Sequence, residues 1–307
     1  MRFCKSLLSS VLTLALLLLT VSCDTPEREC DFTDSLGNGV TLPDEPRRVA
    51  VLFSSLAEMW QLAGGEVSVS VGESCERGFV GEDIPLVHSD AGGAGKSINA
   101  ELLLAERPDF VICTADYPGQ LEIADILGSA GIPAAYFRLD SFSDYLDVLG
   151  IMTDITGNAD AYDRYGGTPS ENIANIIASV PHTHPRVMFA RATKTSLKAK
   201  LPSEHFAAAM LSELGAYNIA EDAPVLLDGI SIEALIEENP EYIFISVMGD
   251  SDGAVNYVES LFERPEWGAL DAVKNKNYIF LSKELFQYKP CAEWDDAYRV
   301  LYEYLYE

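Results

Sequence analysis

Apolar positions along this chain fall into two alternating rhythms. Short unbroken runs read as buried strands: Arg48–Phe53, Asp109–Cys113, Pro133–Phe137, Arg186–Ala190, Glu241–Ser246 and Tyr278–Leu281. Between them lie stretches of helical spacing at 54–62, 99–106, 120–130, 203–214, 231–238 and 292–306. In the last of these Trp294, Ala297, Tyr298, Leu301 and Leu305 share one face. Ser54 suits a helix N-cap, and Gly64-Gly65 stops that helix. Residues 31–43 form a hairpin turning at Gly37-Asn38-Gly39. This alternation predicts α/β lobes with parallel sheets covered by helices.

The rhythm changes between 141 and 180. Leu146, Leu149, Ile151, Met152, Ile155, Ile173, Ile176 and Ile177 are spaced for helix, and no strand interrupts them. This region connects an N-terminal lobe, 31–140, to a C-terminal lobe, 181–307. Gly166-Gly167 and Pro169 fall inside the connector, residue types that weaken or kink a helix, which leaves its straightness open. The two lobes also share a unit. NAELLLAERPDFVI at 99–112 and SIEALIEENPEYIF at 231–244 keep a glutamate in register, Glu101 and Glu233. Each then has Pro, an acid and an aromatic at the same places.

The first 22 residues are a targeting segment, with a positive start at Arg2 and Lys5 and an apolar run from Leu7 to Leu19. Thr20-Val21-Ser22-Cys23 resembles a bacterial lipobox, although Thr20 stands where such sites carry leucine. Cys23 is therefore a candidate lipidation site, followed by a polar tether over 23–30, and the mature chain is exported. Cys4 lies in the signal, and Cys30, Cys75, Cys113 and Cys291 remain, a number that permits disulfides; Cys113 fits a core position. The net charge of −27, from 48 acidic and 21 basic residues, argues against binding nucleic acid or an anionic membrane through basic charge.

At this level the chain resembles the substrate-binding proteins of bacterial ABC importers for ferric siderophores, haem and cobalamin. The resemblance rests on DSLGNGVTLPDEPRRVAVL, SINAELLLAERPDFVI, LSELGAYNIAEDAPVLLDGISIEALIEENPEYIFI and WGALDAVKNKNYIFLSKELF, in that order and spacing. It implies two Rossmann-like lobes joined by one long connecting helix, a ligand cleft between them, and a monomer working with a permease dimer and its ATPase. It also implies that Glu101 and Glu233 dock arginine pockets on the two permease subunits, where a carboxylate meets a guanidinium fork. Each glutamate also suits the first turn of a helix on macrodipole grounds alone.

Ligands of α/β sheets bind in the loops after the strands. Those loops offer Ser54, Ser55, Trp60 and Tyr117 in the first lobe. In the second, residues 190–202 hold Arg191, Lys194, Lys198 and Lys200 and no acid, which points to an anionic ligand. Phe286, Tyr288 and Lys289 place aromatics beside a cation, suited to a flat or catecholate-bearing ligand. A ferric siderophore fits these features. Haem is an alternative, with His205, Tyr117 or Tyr288 as iron ligand; a corrinoid is larger and less anionic.

His88, His182, His184 and His205 are the only histidines, and no collected ligand set predicts a bare metal site or a resident cofactor. An exported enzyme is the remote alternative. The chain has no Gly-x-Ser-x-Gly, and Gly92-Gly-Ala-Gly-Lys-Ser97 lacks the spacing of a phosphate loop. A structural lipoprotein is disfavoured by the two-lobe repeat.

Overall fold

The computed structural model describes residues 30–42 and 45–307. The targeting segment with Cys4, the candidate lipidation site Cys23 and the tether up to Glu29 lie outside them. Strands β1 (Cys30–Thr33) and β2 (Gly39–Leu42) form the expected antiparallel hairpin. The N-terminal lobe follows, with β3 (Val49–Val51), helix α1 (Ser54–Leu62), β4 (Val67–Val69), α2 (Ala100–Ala105), β5 (Phe110–Thr114) and β6 (Ala134–Phe137). Its strands run parallel in the order β4-β3-β5-β6.

After the connector, with helices α3 (Phe142–Thr156) and α4 (Thr168–Ala178), the C-terminal lobe holds β7 (Arg186–Thr193), β8 (Ser196–Ala199), α5 (Phe206–Glu213), β9 (Tyr217–Asn218), α6 (Ile232–Glu238), β10 (Tyr242–Val247), α7 (Ser251–Phe262), β11 (Tyr278–Leu281) and α8 (Trp294–Tyr306). The order is β11-β10-β7-β8, with β9 beside the start of β7 and only β8 antiparallel.

The period-two alternation of each strand divides the interior into three cores. Ala50, Val111 and Cys113 face one core inside the N-terminal lobe, and Met188, Ile243 and Ile245 face another inside the C-terminal lobe. The opposite faces, Val49, Phe110, Phe189 and Phe244, share one continuous core with Tyr145 of the connector and Trp294 of α8. Trp294 packs against Phe142, Tyr145 and Phe206 at 5.7, 6.1 and 5.7 Å. The lobes are thus joined by a common apolar layer as well as by the chain.

The repeated unit has a structural role in both lobes. In the first, the Arg48 guanidinium donates to the carbonyl and carboxylate of Glu106, while the Arg48 backbone N–H donates to Asp109 at 2.9 Å. In the second, Arg186 donates to the carbonyl and carboxylate of Glu238, and its N–H donates to Glu241 at 2.9 Å. Each clasp ties the end of the repeated helix to the first strand of its lobe. The chain then turns at a left-handed residue, Arg107 (φ 51°) or Asn239 (φ 39°), at the same place in each copy. The acids after the prolines are therefore anchors for strand register.

The connector is not broken at Gly166-Gly167 and Pro169. Its real interruption is Gly157, left-handed at φ 70°, which ends α3. From Ala159 the chain stays helical to Ala178 through a π turn at Asp163–Gly167. Pro169 has no N–H to offer the carbonyl of Tyr165, and the Tyr145 hydroxyl donates to that carbonyl instead at 2.9 Å. A side chain at Gly166 would press on Leu146 and Leu149, its Cβ coming within 3.0 and 3.3 Å of them.

Ser54 also departs from expectation. It is the first helical residue, the N-cap is Phe53, and no side chain caps α1. Cys75, Cys113 and Cys291 carry no disulfide among the described residues. Among those residues no helix is long and apolar enough to cross a membrane.

Candidate functional site

Both sheets point the C-terminal ends of their parallel strands at the seam between the lobes, where a cavity of about 580 Å³ opens. The N-terminal wall comes from the segments that follow its strands: Phe53 after β3, Glu73 after β4, Asp116 and Tyr117 after β5, Asp140 after β6, with Gly92, Ala94 and Lys96 at the rim. The acids of this wall have partners. Ser54 Oγ donates to Glu73 at 2.6 Å, Arg138 pairs with Asp116 at 3.3 Å, and Lys289 reaches across to Asp140 at 3.5 Å. Tyr117 meets Phe53 edge-on with ring centres 5.7 Å apart.

The C-terminal wall carries Arg191 of β7, His205 and Phe206 at the start of α5, Met248 and Gly249 after β10, and Lys283, Gln287, Tyr288 and Lys289 after β11. Lys283 donates to the Gly249 carbonyl at 2.8 Å, and Lys289 sits 5.1 Å from the centre of the Phe206 ring. Among the described residues Arg191 makes no ion pair, and its Nε is buried without an acceptor. Glu204, the carboxylate on the same wall, is occupied: Leu201 N–H and Lys200 Nζ donate to its two oxygens at 3.0 and 3.3 Å. The Leu201 hydrogen bond is the main reason its carboxyl is held below the usual range.

Arg77 joins the walls from behind. It donates to Ser54 and Ser55 at 2.9 and 3.0 Å and pairs with Glu58 at 3.4 Å. Its flat guanidinium lies 4.2 Å from the centre of the Tyr288 ring, which belongs to the other lobe. Burial raises the Glu58 carboxyl, and Arg77 offsets part of that rise.

Titration states are set by this packing. Burial, then the charges of Arg191, Lys289 and Lys200, hold His205 neutral far below the ordinary histidine value. Its Nδ1 accepts the Ala207 N–H at 3.2 Å, so the proton sits on Nε2, which is buried without a partner. Burial and the nearby acids Glu73, Asp116 and Asp90 push Tyr117 up to about 12. Tyr288 is raised for the same first reason, burial, and then by Glu73.

A family model described as periplasmic binding protein matches residues 49–285, the span from β3 to the end of the β11 loop. The chain is a periplasmic binding protein. No curated protein sequence matches it. Solved structures that share the fold of this binding protein include the following three. The periplasmic haem-binding protein RhuT from Roseiflexus sp. RS-1 is 18% identical, with 85% of this chain and 98% of that chain covered at a TM-score of 0.65. The catecholate-siderophore binding protein VctP from Vibrio cholerae is 16% identical, covering 90% and 98% at 0.69. The vitamin B12 binding protein BtuF of Vibrio cholerae is 17% identical, covering 85% and 97% at 0.68. The family binds small molecules outside the cytoplasm and works with ABC importers, and the binding protein has the two-lobe architecture that goes with it.

The structure brings only part of the expected ligand set to the cleft of the binding protein. Tyr117, Arg191, His205, Tyr288 and Lys289 line it. Ser54 and Ser55 are fully buried beneath it, where they hold Arg77 and Glu73. Trp60 is core, its indole donating to the Glu66 carbonyl at 3.0 Å, and Phe286 is core as well. The stretch after β7 is not a loop but the β7–β8 hairpin. Lys194 occupies its turn, Lys198 stands exposed on β8, and Lys200 is engaged by Glu204, so none of the three lines the cavity. His182 and His184 are exposed at the end of the connector, away from the cleft.

Glu101 and Glu233 are exposed, each at the second helical position, behind the caps Asn99 and Ser231. Each helix runs antiparallel to the strand that follows it, so both glutamates lie at the cleft end of their lobes. Among the lining residues that sequence reasoning missed are Glu73, Lys96, Asp140, Met248 and Lys283, besides Phe53, Asp116, Glu204, Phe206 and Gln287. Of the first five, four would have been found by applying the loops-after-strands rule to β4, β6, β10 and β11. Lys96 belongs to the Gly-rich stretch, which works here as a rim.

Proposed function

We propose that the protein captures a ferric siderophore in this cleft and delivers it to an ABC permease. The observation that carries this is Arg191, a partly buried cation on the cavity wall that makes no ion pair among the described residues and whose Nε lacks an acceptor, although the charge of Glu204 eases its burial; it faces a cavity edged by Phe53, Tyr117 and Tyr288. Burial even lowers the Arg191 pKa, so the charge is held at a cost that an anionic ligand offsets. The fold is common to siderophore, haem and vitamin B12 binding proteins, so the cargo must be argued from the wall.

Haem iron takes a protein ligand. Tyr117 and Tyr288 are both biased towards the protonated phenol, and the lone pair of His205 is spent on the Ala207 N–H. A ferric siderophore brings its iron already coordinated and asks the protein only for charge and contact. A corrinoid is larger and less anionic, offering Arg191 only the single phosphodiester of its nucleotide tail.

The tripartite start Arg2/Lys5, Leu7–Leu19 and Ser22-Cys23 supports export with Cys23 as a lipid anchor on the outer face of the cell membrane. The matched exposure of Glu101 and Glu233 at the cleft end of the lobes supports docking on two permease subunits. To test the cargo, the mature chain carrying Cys23→Ala is titrated by tryptophan fluorescence with ferric citrate, a ferric tris-catecholate, a ferric tris-hydroxamate, haemin and cyanocobalamin. Saturable binding of a ferric chelate is expected; binding of haemin or cyanocobalamin alone overturns the proposal.

A further inference from the structure

Two buried N–H donors on one wall lack an acceptor: Nε of Arg191 and Nε2 of His205. Both residues line the cavity, and His205 is only 5% exposed. The tautomer of His205 is fixed from below, because its Nδ1 is the acceptor that caps α5. Rings of Phe189 and Phe206 lie 4.6 and 4.8 Å from the imidazole and hold its plane. The nearby carboxylate, Glu204, has both oxygens engaged. The amino end of α5 adds its partial positive charge at the same place.

We infer that Arg191 and His205 together seat an uncoordinated carboxylate oxygen of the cargo, so that the protein selects carboxylate-bearing ferric chelates. This rests on the cargo being an iron chelate. Two donors with no acceptor in reach call for a group that is negative and has lone pairs to spare; Glu204 acts on Arg191 only through its charge, without an ion pair. A carboxylate that binds iron through one oxygen keeps its second oxygen free and charged. A catecholate is anionic but offers only iron-bound oxygens as acceptors, and a ferric tris-hydroxamate has no net charge. His205 thus acts as a neutral hydrogen-bond donor, a role distinct from iron ligation. Buried polar groups are usually paired in folded proteins, so two orphan donors on one cavity wall mark the place where the ligand completes the site.

The test compares ferric citrate with a ferric tris-hydroxamate on the mature chain and two variants. Arg191→Lys keeps a cation and removes Nε; His205→Asn keeps a cap acceptor for α5 and removes the imidazole donor. Each variant should bind ferric citrate about tenfold more weakly, and the double variant should lose less than the product, because both donors serve one group. Tris-hydroxamate binding should be weaker from the start and unmoved. As a readout that packing alone would not change, long-range nitrogen–proton NMR should show a neutral Nε2–H imidazole absent from His205→Asn. Its proton should move downfield when the diamagnetic stand-in gallium citrate is added. Variants that bind ferric citrate like the parent chain, or an Nε2–H signal that gallium citrate does not move, overturn the seat and leave the iron-chelate proposal standing. Failure of every ferric chelate to bind the parent chain overturns both.

Discussion

The two lobes copy each other at one end and differ at the other. Away from the cleft, Arg48, Glu106 and Asp109 repeat as Arg186, Glu238 and Glu241, bond for bond. At the cleft the N-terminal wall presents acids already satisfied by Ser54, Arg138 and Lys289, while the C-terminal wall presents Arg191 and His205 with donors left over. The shared part fixes strands to helices; the divergent part chooses the cargo. A duplicated scaffold therefore says little about its ligand, and the place where the copies stop agreeing says most.

If the lobes are equivalent towards the permease, Glu101→Lys and Glu233→Lys should each reduce uptake of labelled chelate by about tenfold or more, with ligand affinity within about twofold of the parent. A loss from only one of them would break that equivalence. The walls should behave unequally. Arg191→Ala should weaken chelate binding about ten- to a hundredfold, a charge-assisted contact being worth about 1.5–3 kcal/mol. Lys96→Ala on the opposite rim should cost about threefold or less, because Lys96 is exposed and screened.

Acid should also separate the lobes. His205 stays neutral in the folded protein, whereas an unfolded histidine takes up a proton below about pH 6.5. Stability is then lost as pH falls through that value, by at most about 1.4 kcal/mol per unit from this one group. Urea unfolding at pH 7.5 and 5.5 should show a shallower loss for His205→Asn than for the parent; equal slopes would mean that the folded site accepts the proton. The clasps should be alike: Arg48→Met and Arg186→Met should each lower unfolding stability by about 1 kcal/mol while leaving binding intact. Lys194→Ala and Lys198→Ala should change binding by less than about twofold, since neither lines the cavity.

Much of the scaffold was legible because it is periodic. Six strands, the connector and the final helix stand out by spacing alone, and the repeat placed the two lobes. The elements that escaped are short or interrupted. The three residues of β4 are too few to show a period, so Glu73 beyond it had no strand to point from. Helix α7 hides behind Asp250, whose side chain accepts the Gly253 N–H, and the glycine masks the spacing of Ala254, Val258 and Leu261. The basic stretch misled for a physical reason. Ala190, Ala192, Leu197 and Ala199 alternate inward and form a hairpin, which sets Arg191 opposite Lys198 on its other face; of the stretch's cations only Arg191, half-buried on β7, reaches the cavity wall, while Lys198 stays exposed on β8. Charge density along the chain carried no information about which cation the fold would bury. Ser54 and Ser55 were visible as polar residues after a strand, but their partner Arg77 is joined to them only by the fold.

The most direct test is a crystal structure of the chelate-loaded protein with anomalous data at the iron edge. The iron peak should fall in the cleft with no protein atom among its ligands, and a ligand oxygen should lie within hydrogen-bond reach of Arg191. An iron bound by Tyr117, Tyr288 or His205, or a ligand held without contact to Arg191, would contradict the account.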